Sequence, residues 1–139
     1  TLEEEGYDVT VADVTVESPA FCAQMANEAD VLLVGSPTIN RAAPKAVWDV
    51  LTSIDPINLK GRAAGAFGAY GWSGEAAPML HTFLKGLRYA APEAPFRVLF
   101  TPTQADLATE ILTLVQKALP PADQPAALPD DARSSPAGG

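Results

Sequence analysis

Two loops of this chain place glycines beside polar and aromatic side chains, a combination that suits ligand binding. The first has the sequence Gly-Ser-Pro-Thr-Ile-Asn at residues 35–40, between an unbroken apolar run and a helix-forming segment. A connection of this length is typical of a binding loop, because the scaffold fixes both ends and leaves the middle free to hold a ligand. Its candidate site residues are Ser36, Pro37, Thr38 and Asn40.

The second loop has the sequence Ala-Tyr-Gly-Trp-Ser-Gly-Glu at residues 69–75. Its two aromatic side chains offer flat apolar surface, and its glycines expose backbone groups that a ligand could approach closely. Glu75 is better explained as an acidic residue in the first turn of a helix, where the macrodipole favours negative charge. The candidate site residues of this loop are Tyr70, Gly71, Trp72 and Gly74.

Composition argues against several classes of function. The 139-residue chain has a formal net charge of -8, whereas a nucleic-acid-binding protein needs a basic surface. An acidic surface suits solubility, with a basic protein partner as the alternative. No apolar run approaches the roughly 18 residues that a membrane-spanning helix needs. We therefore expect no nucleic-acid partner and no membrane segment.

A single cysteine and a single histidine limit the chemistry further. Cys22 cannot form a disulfide within the chain, which fits a reducing cytoplasm, and we expect a small buried side chain there. His81 cannot build a metal site alone, because zinc sites need three or four ligands, and we expect it to face solvent on a helix. No catalytic side chain and no metal ligand are predicted.

The N-terminal residues have the pattern of a helix end without a helix start. The glutamates at residues 3–5 are good helix formers, and Gly6 stands where a left-handed C-terminal cap would lie. We interpret this segment as the last turn of a helix that begins outside the chain, with a frayed N-terminus as the alternative. Residues 7–13 then alternate in polarity, which predicts a strand at the edge of a sheet.

Strands and helices alternate along the rest of the chain, which predicts an α/β fold with a doubly wound parallel sheet. The two apolar strands should lie inside the sheet and the two alternating strands at its edges. The predicted strands are residues 7–13, 31–35, 62–70 and 96–100. The predicted helices are residues 19–28, 44–54, 74–87 and 103–119. We expect one domain over residues 1–118 and a disordered tail or linker, rich in proline and alanine, over residues 119–139.

Caps and apolar stripes mark the helices. Ser18 followed by Pro19 predicts the start of the first helix, and Thr103 predicts the start of the last. Trp48 lies on the apolar stripe of the second helix and is expected in the core. The inward-facing residues of the last helix are expected to be Leu107, Ile111, Leu114 and Val115.

These segments are similar to the flavodoxin-like domain of flavodiiron proteins, also called A-type flavoproteins. The resemblance lies in VLLVGSPTINRAAPKAVWDVL at residues 31–51 and GRAAGAFGAYGWSGEA at residues 61–76, and it extends over residues 1–118. The Ser-Pro-Thr-x-Asn and Tyr-Gly-Trp-Ser-Gly-Glu loops are fairly specific as a pair and weak singly. The resemblance implies a flavodoxin-like sheet that binds FMN beyond the carboxyl ends of its strands.

The resemblance also implies that the two loops flank the isoalloxazine ring of FMN. Thr38 and Asn40 supply donors, and Pro37 stiffens the first loop. Tyr70 or Trp72 supplies an aromatic wall, although packing or a domain interface is an alternative role for Trp72.

The other candidate residues have smaller expected roles. Ser36 is a candidate contact that could instead only cap or brace its loop. Ala69 stands where a serine is expected in the family, and the lost hydroxyl should tune the site rather than abolish it. Gly71 and Gly74 contribute exposed backbone groups.

Part of the implied FMN site is expected to lie outside this chain. Flavodoxin-like domains hold the FMN phosphate in a loop between their first strand and first helix, at the N-terminus of that helix. The chain begins after this loop, so the first, central strand and the phosphate loop are expected to be absent. Because neighbouring strands lie about 4.8 Å apart, a gap of roughly 10 Å should separate residues 7–13 from residues 31–35.

The resemblance implies an electron-transfer module of an oxygen or nitric oxide reductase. Electrons would pass from a redox donor protein or domain through FMN to a diiron centre on a separate metallo-β-lactamase-like domain of the same cytoplasmic, homo-oligomeric parent. One alternative is an FMN-dependent NAD(P)H or quinone reductase, because a shared fold does not decide function. The other is an interaction domain that has lost the cofactor.

Overall fold

The computed structural model describes residues 2–59 and 62–118, with the backbone alone described at residues 58, 107, 114, 117 and 118. Ser18 Oγ accepts a hydrogen bond from the Phe21 N–H at 3.2 Å, and Pro19 lies in the first turn, so helix α1 begins there as predicted. The expected tail at residues 119–139 and the side chains of Leu107 and Leu114 lie outside the described residues.

Three parallel strands form the sheet of the described residues, in the order β1-β2-β3. They are β1 Val31–Gly35, β2 Ala63–Tyr70 and β3 Phe96–Leu99. Parallel neighbours need crossover connections, and helical segments supply both of them. The helices up to β3 are α1 Pro19–Glu28, α2 Lys45–Leu51, a 3₁₀ turn at Pro56–Asn58 and α3 Ala76–Gly86. The predicted parallel α/β sheet is confirmed, with β2 inside it and β3 at its edge.

A continuous helical segment follows β3. It consists of α4 Gln104–Asp106, a π-helical turn at Leu107–Ile111 and α5 Leu112–Ala118. Thr103 Oγ1 accepts the Asp106 N–H at 3.2 Å, while Asp106 Oδ2 accepts the Thr103 N–H at 2.8 Å, which confirms the predicted cap. Val115 is buried as expected. No helix in the described ranges has the length and apolar run that crossing a bilayer requires.

Small side chains on β2 let helix α3 pack closely against the sheet. Ala64 and Ala66 are fully buried and share one hydrophobic core with Leu80 and Leu84 of α3. Trp48 lies edge-on to Phe83 with ring centroids 5.6 Å apart, and its Nε1–H donates to the Ala43 carbonyl at 3.1 Å. The core role expected for Trp48 is therefore confirmed. The largest fully buried side chains are Leu51, Leu59, Leu80 and Leu84.

The first described residues have the hydrogen bonds of a helix C-terminus. The Tyr7 N–H donates to the Leu2 carbonyl at 3.2 Å, and the Gly6 N–H donates to the Glu3 carbonyl at 3.0 Å. This pair of bonds defines a Schellman motif, whose left-handed residue is Gly6 with φ of 91°. The cap predicted at Gly6 is confirmed.

The strand predicted at residues 7–13 is wrong for the described structure. This segment has no strand pairing, and β1, expected inside the sheet, is an edge strand whose residues 31–34 are only half-buried. A groove of about 660 Å³ is lined by residues of the 7–13 segment and of β1. Residues 7–13 are unpaired because this groove takes the place of a neighbouring backbone. The groove is also lined by residues of α1 and α2 and by Val115 of α5.

The single cysteine and the single histidine are both buried. Cys22 is 5% exposed, as expected. The prediction that His81 faces solvent is wrong, because the ring is 6% exposed on the inner side of α3. Neither ring nitrogen has a hydrogen-bond partner among the described residues. Burial is the main reason that the pKa of His81 is lowered. The charge of Lys85 lowers this pKa further, and the nearby backbone of Glu93 raises it in part.

We expect His81 to make the fold sensitive to mild acid. Because the pKa of His81 is lower in the folded chain, the unfolded chain takes up a proton first as the pH falls below about 6.5. The contribution of neutral His81 to the free energy of unfolding is therefore complete above that pH and is lost as the pH falls. The free energy of unfolding, measured with urea, should fall between pH 7.5 and pH 5.5 in the parent chain. It should fall less between the same pH values in His81→Leu. Equal differences for the two chains would contradict this prediction.

Candidate functional site

The loops that follow the three strands meet at one edge of the sheet. Parallel strands present their carboxyl ends on the same side, so each connecting loop begins there. The first loop continues to the start of helix α2 and so comprises residues 35–44, of which Gly35 ends β1. The second comprises residues 69–75, of which Ala69 and Tyr70 end β2. A third comprises residues 100–103 after β3. Because β2 is the central strand, the second loop lies between the other two.

Ser36 joins the first loop to the sheet. Its N–H donates to the Phe67 carbonyl at 3.1 Å, which continues the β1–β2 ladder by one residue. Its buried hydroxyl donates to the Pro37 carbonyl at 2.8 Å. A Cβ at Gly68 would lie 2.3 Å from the Ser36 carbonyl oxygen, so glycine is needed for this close approach. The structure thus gives Ser36 a bracing role.

A tight turn forms the tip of the first loop. Ile39 and Ala42 exchange two backbone hydrogen bonds of 2.9 and 3.0 Å. The two residues between them have positive φ, 50° at Asn40 and 64° at Arg41, as in a type I′ turn. Asparagine tolerates this conformation, whereas at Arg41 it costs about 1–2 kcal/mol. The turn holds the predicted site residue Asn40 at the surface, next to the exposed Pro37 segment.

Two side-chain contacts join the first loop to the second. Thr38 Oγ1 accepts a hydrogen bond from the Ala76 N–H at 3.2 Å, which caps helix α3 from outside its own chain segment. The hydroxyl hydrogen of Thr38 is still able to donate to a ligand. Arg41 Nε donates to Glu75 Oε1 at 3.2 Å. The two loops predicted to share a site therefore lie side by side.

Glu75 is more than a first-turn carboxylate. The Ser73 hydroxyl donates to Glu75 Oε2 at 2.7 Å, and this bond is the main reason that the pKa of Glu75 is lowered. The backbone N–H of Glu75 and the charge of Arg41 lower it further. The carboxylate is thus ionised at neutral pH, and its ion pair with Arg41 joins the two loops at the surface.

Tyr70 is held within the second loop and Trp72 is not. Gly74 has φ of 68°, and a Cβ there would lie 2.7 Å from the Tyr70 Cγ. The Arg97 guanidinium lies 5.6 Å from the centre of the Tyr70 ring, and its Nη1 donates to the Gly74 carbonyl at 3.5 Å. In contrast, the side chain of Trp72 is 95% exposed. Contacts with Gly74 and Arg97 therefore hold the ring of Tyr70 in place, whereas the aromatic ring of Trp72 is exposed at the surface of this loop. Ala69 and Gly71 are also exposed.

Sequence reasoning missed three residues at this edge: Arg41, Arg97 and Phe100. The positive charges flanking the loops were visible in the sequence, but their partners are distant along the chain. The Phe100 N–H donates to the Tyr70 carbonyl at 2.7 Å, and its ring lies against Gly71. Nothing in the pattern of residues 96–100 distinguished Phe100 from an ordinary strand end. Among the described residues, no group of three or more His, Cys, Asp and Glu side chains could hold a metal ion.

The chain is similar in sequence to known bacterial flavoproteins and oxidoreductases. No protein-family model matches the chain. It is 42% identical over 80 residues to the type A flavoprotein fprA of Rhodobacter capsulatus, covering 58% of this chain and 18% of that protein. It is 36% identical over 80 residues to the rubredoxin-oxygen oxidoreductase of Megalodesulfovibrio gigas, covering 58% of this chain and 20% of that protein. The chain thus spans about one fifth of the curated relatives it matches.

Solved structures agree with these sequence matches. The rubredoxin oxygen:oxidoreductase of Desulfovibrio gigas is 30% identical with a TM-score of 0.71, over 84% of this chain and 29% of that one. An archaeal flavodoxin is 26% identical with a TM-score of 0.62, over 77% of this chain and 73% of that one. The predicted flavodoxin-like fold is confirmed. The chain is a homologue of the flavodiiron, or A-type, flavoproteins, and matches them over their C-terminal flavodoxin-like region.

Proposed function

We propose that the chain is the FMN-binding electron-transfer module of a flavodiiron-type oxygen or nitric oxide reductase. The observation that carries this proposal is the contact between the first and second loops at the carboxyl edge of the sheet, beside the exposed indole of Trp72. Ligands of doubly wound sheets lie at this edge. The homology to flavodiiron proteins supports the same assignment.

The described residues fit the ring portion of FMN. An isoalloxazine ring is flat, with a polar edge of carbonyl oxygens and ring nitrogens. Trp72 would cover part of the flat surface, while the Thr38 hydroxyl, the Asn40 amide and the backbone of Gly71 would bond to the polar edge. Bound FMN would supply one- and two-electron redox chemistry. The chain's own residues bind, orient and shield the ring, and no side chain needs to act as acid, base or nucleophile.

We infer that polypeptide preceding Thr1 completes the site. The open edge of β1 and the 660 Å³ groove beside it leave room for one more parallel strand. The Schellman motif at residues 2–7 suits a helix arriving from that strand. The loop between such a strand and helix would lie at the carboxyl edge, where the helix N-terminus suits the FMN phosphate.

We further infer that a separate redox donor delivers the electrons and that a diiron centre on another domain of the same parent receives them. The chain spans about one fifth of its curated relatives, which leaves room in such a parent for a metallo-β-lactamase-like domain.

We infer a cytoplasmic location for the parent protein, because the lone, buried Cys22 suits a reducing compartment.

FMN should bind tightly only when the inferred additional strand and phosphate loop are present. Isothermal titration should give weak or undetectable binding to the isolated chain, because the inferred phosphate loop would lie outside it. A protein extended upstream through one strand and one helix should bind one FMN tightly. Tight stoichiometric binding by the isolated chain would contradict the inferred phosphate loop. A colourless, non-binding extended protein would contradict the function itself and favour a cofactor-free interaction domain.

Trp72 should contribute directly to ring binding. In the extended protein, Trp72→Ala should raise the Kd for FMN about tenfold, equivalent to ~1.4 kcal/mol, because an aromatic contact with the ring is lost. Ile57→Ala is the matched control, since Ile57 is also exposed, at 82%, and lies before β2 at the opposite edge of the sheet. Quenching of flavin fluorescence gives both affinities. Equal Kd values for the two variants would count against Trp72 as a contact.

Gly74 should be needed for the shape of the second loop. Gly74→Ala places a Cβ in left-handed backbone against Tyr70, so the unfolding free energy should fall by about 1–2 kcal/mol and FMN should bind more weakly. Gly86→Ala is the control, because no atom lies within 4 Å of its added Cβ and its φ is not positive. That variant should be unchanged or stabilised by about 0.4–1 kcal/mol. Urea unfolding and fluorescence titration measure the two effects.

A further inference from the structure

Backbone strain concentrates at the carboxyl edge of the sheet. Four described residues other than glycine have positive φ, and three of them lie in the first and third loops: Asn40, Arg41 and Phe100. The fourth, Arg88, follows helix α3 and lies on the way to β3, away from these loops. Strained backbone persists where surrounding contacts over-determine it, and it is enriched at functional sites.

Phe100 is the most unusual of these residues. Its φ is 58°, in a region that a bulky aromatic residue rarely adopts. Burial does not account for the strain, because Phe100 is 70% exposed. An aromatic residue that is both strained and exposed adds little to the stability of the core.

The contacts of Phe100 explain what holds it. Its N–H donates to the Tyr70 carbonyl at 2.7 Å, one residue beyond the Tyr70–Leu99 pair that ends the β2–β3 ladder. The left-handed turn at Phe100 directs the ring across to the second loop. A Cβ on Gly71 would lie 3.1 Å from Phe100 Cε1, so the ring lies close to one side of Gly71, directly before Trp72, while Gly71 stays exposed.

We propose that Phe100 is a positioning residue for the second loop. Its ring holds the backbone at Gly71 and so fixes the direction in which Trp72 presents its indole to the ligand. The contact with Gly71 orients the loop without adding to the stability of the fold, and the positive φ of Phe100 accompanies that contact. This inference rests on the proposed FMN function and adds the third loop to its site.

The proposal predicts opposite effects of one substitution on stability and on affinity. In the protein extended upstream, Phe100→Gly relieves the strain and removes the ring. The melting temperature should stay the same or rise, whereas the Kd for FMN should increase about tenfold and the visible circular dichroism of the bound flavin should change. Phe100→Tyr retains the ring and should restore both the affinity and the spectrum.

Arg88→Gly is the matched control, because it relieves the same kind of strain away from the loops. It should raise the melting temperature without changing the Kd or the spectrum. A fall in melting temperature for Phe100→Gly with unchanged affinity would show a merely structural residue and overturn the proposal. Unchanged affinity and spectrum would overturn it as well. If the parent protein itself binds no FMN, the proposed function fails instead, and this inference falls with it.

Discussion

Parallel pairing of β2 with a strand on each side is the constraint on which the candidate site depends. Strands of one direction present all their following loops at one edge, so residues far apart in sequence become neighbours. Thr38 then meets Ala76, and Arg41 meets Glu75. The alanines of β2 add to the constraint, because they let helix α3 approach the sheet closely and place its first turn against the first loop.

The loops at this edge stabilise one another. Helix α3 takes a cap from Thr38 of the first loop, because the side chain of its own preceding residue, Glu75, makes no cap bond. Glu75 pairs instead with Ser73 and Arg41. Arg97 of β3 contacts the second loop, and the ring of Phe100 in the third loop lies close to Gly71. Such mutual support holds several residues in left-handed backbone that local preference alone would not select.

Local sequence signals predicted the elements well where the signal and its partner are close in the chain. Ser18 with Pro19, Thr103 with Asp106, and Gly6 all cap the helix ends assigned to them. Residues 7–13 were misjudged because alternation indicates a strand only if a neighbouring backbone is present to pair with. The placement of His81 failed for a related reason: the polarity of its side chain favours solvent, but its position on α3 faces the sheet.

The meeting of the two loops was predictable from the sequence, whereas the contacts within them were less so. Glycines, hydroxyls and aromatic residues after two strands indicated which loops to consider, and homology agrees with the fold. The division of roles between Tyr70 and Trp72 depends on Arg97 and Gly74, whose contacts with Tyr70 arise only in the folded chain. The left-handed φ of Arg41 and Phe100 has no sequence signal, because neither residue type favours it.

The position of Cys22 has a practical consequence. Its thiol lines the groove beside β1 and belongs to the only cysteine of the chain. The residue is nonetheless only 5% exposed with the groove empty, because helix α1 and its neighbours already cover it. The rate at which a maleimide or disulfide reagent modifies the protein is therefore an intrinsic gauge of local opening around helix α1, with no engineered label required.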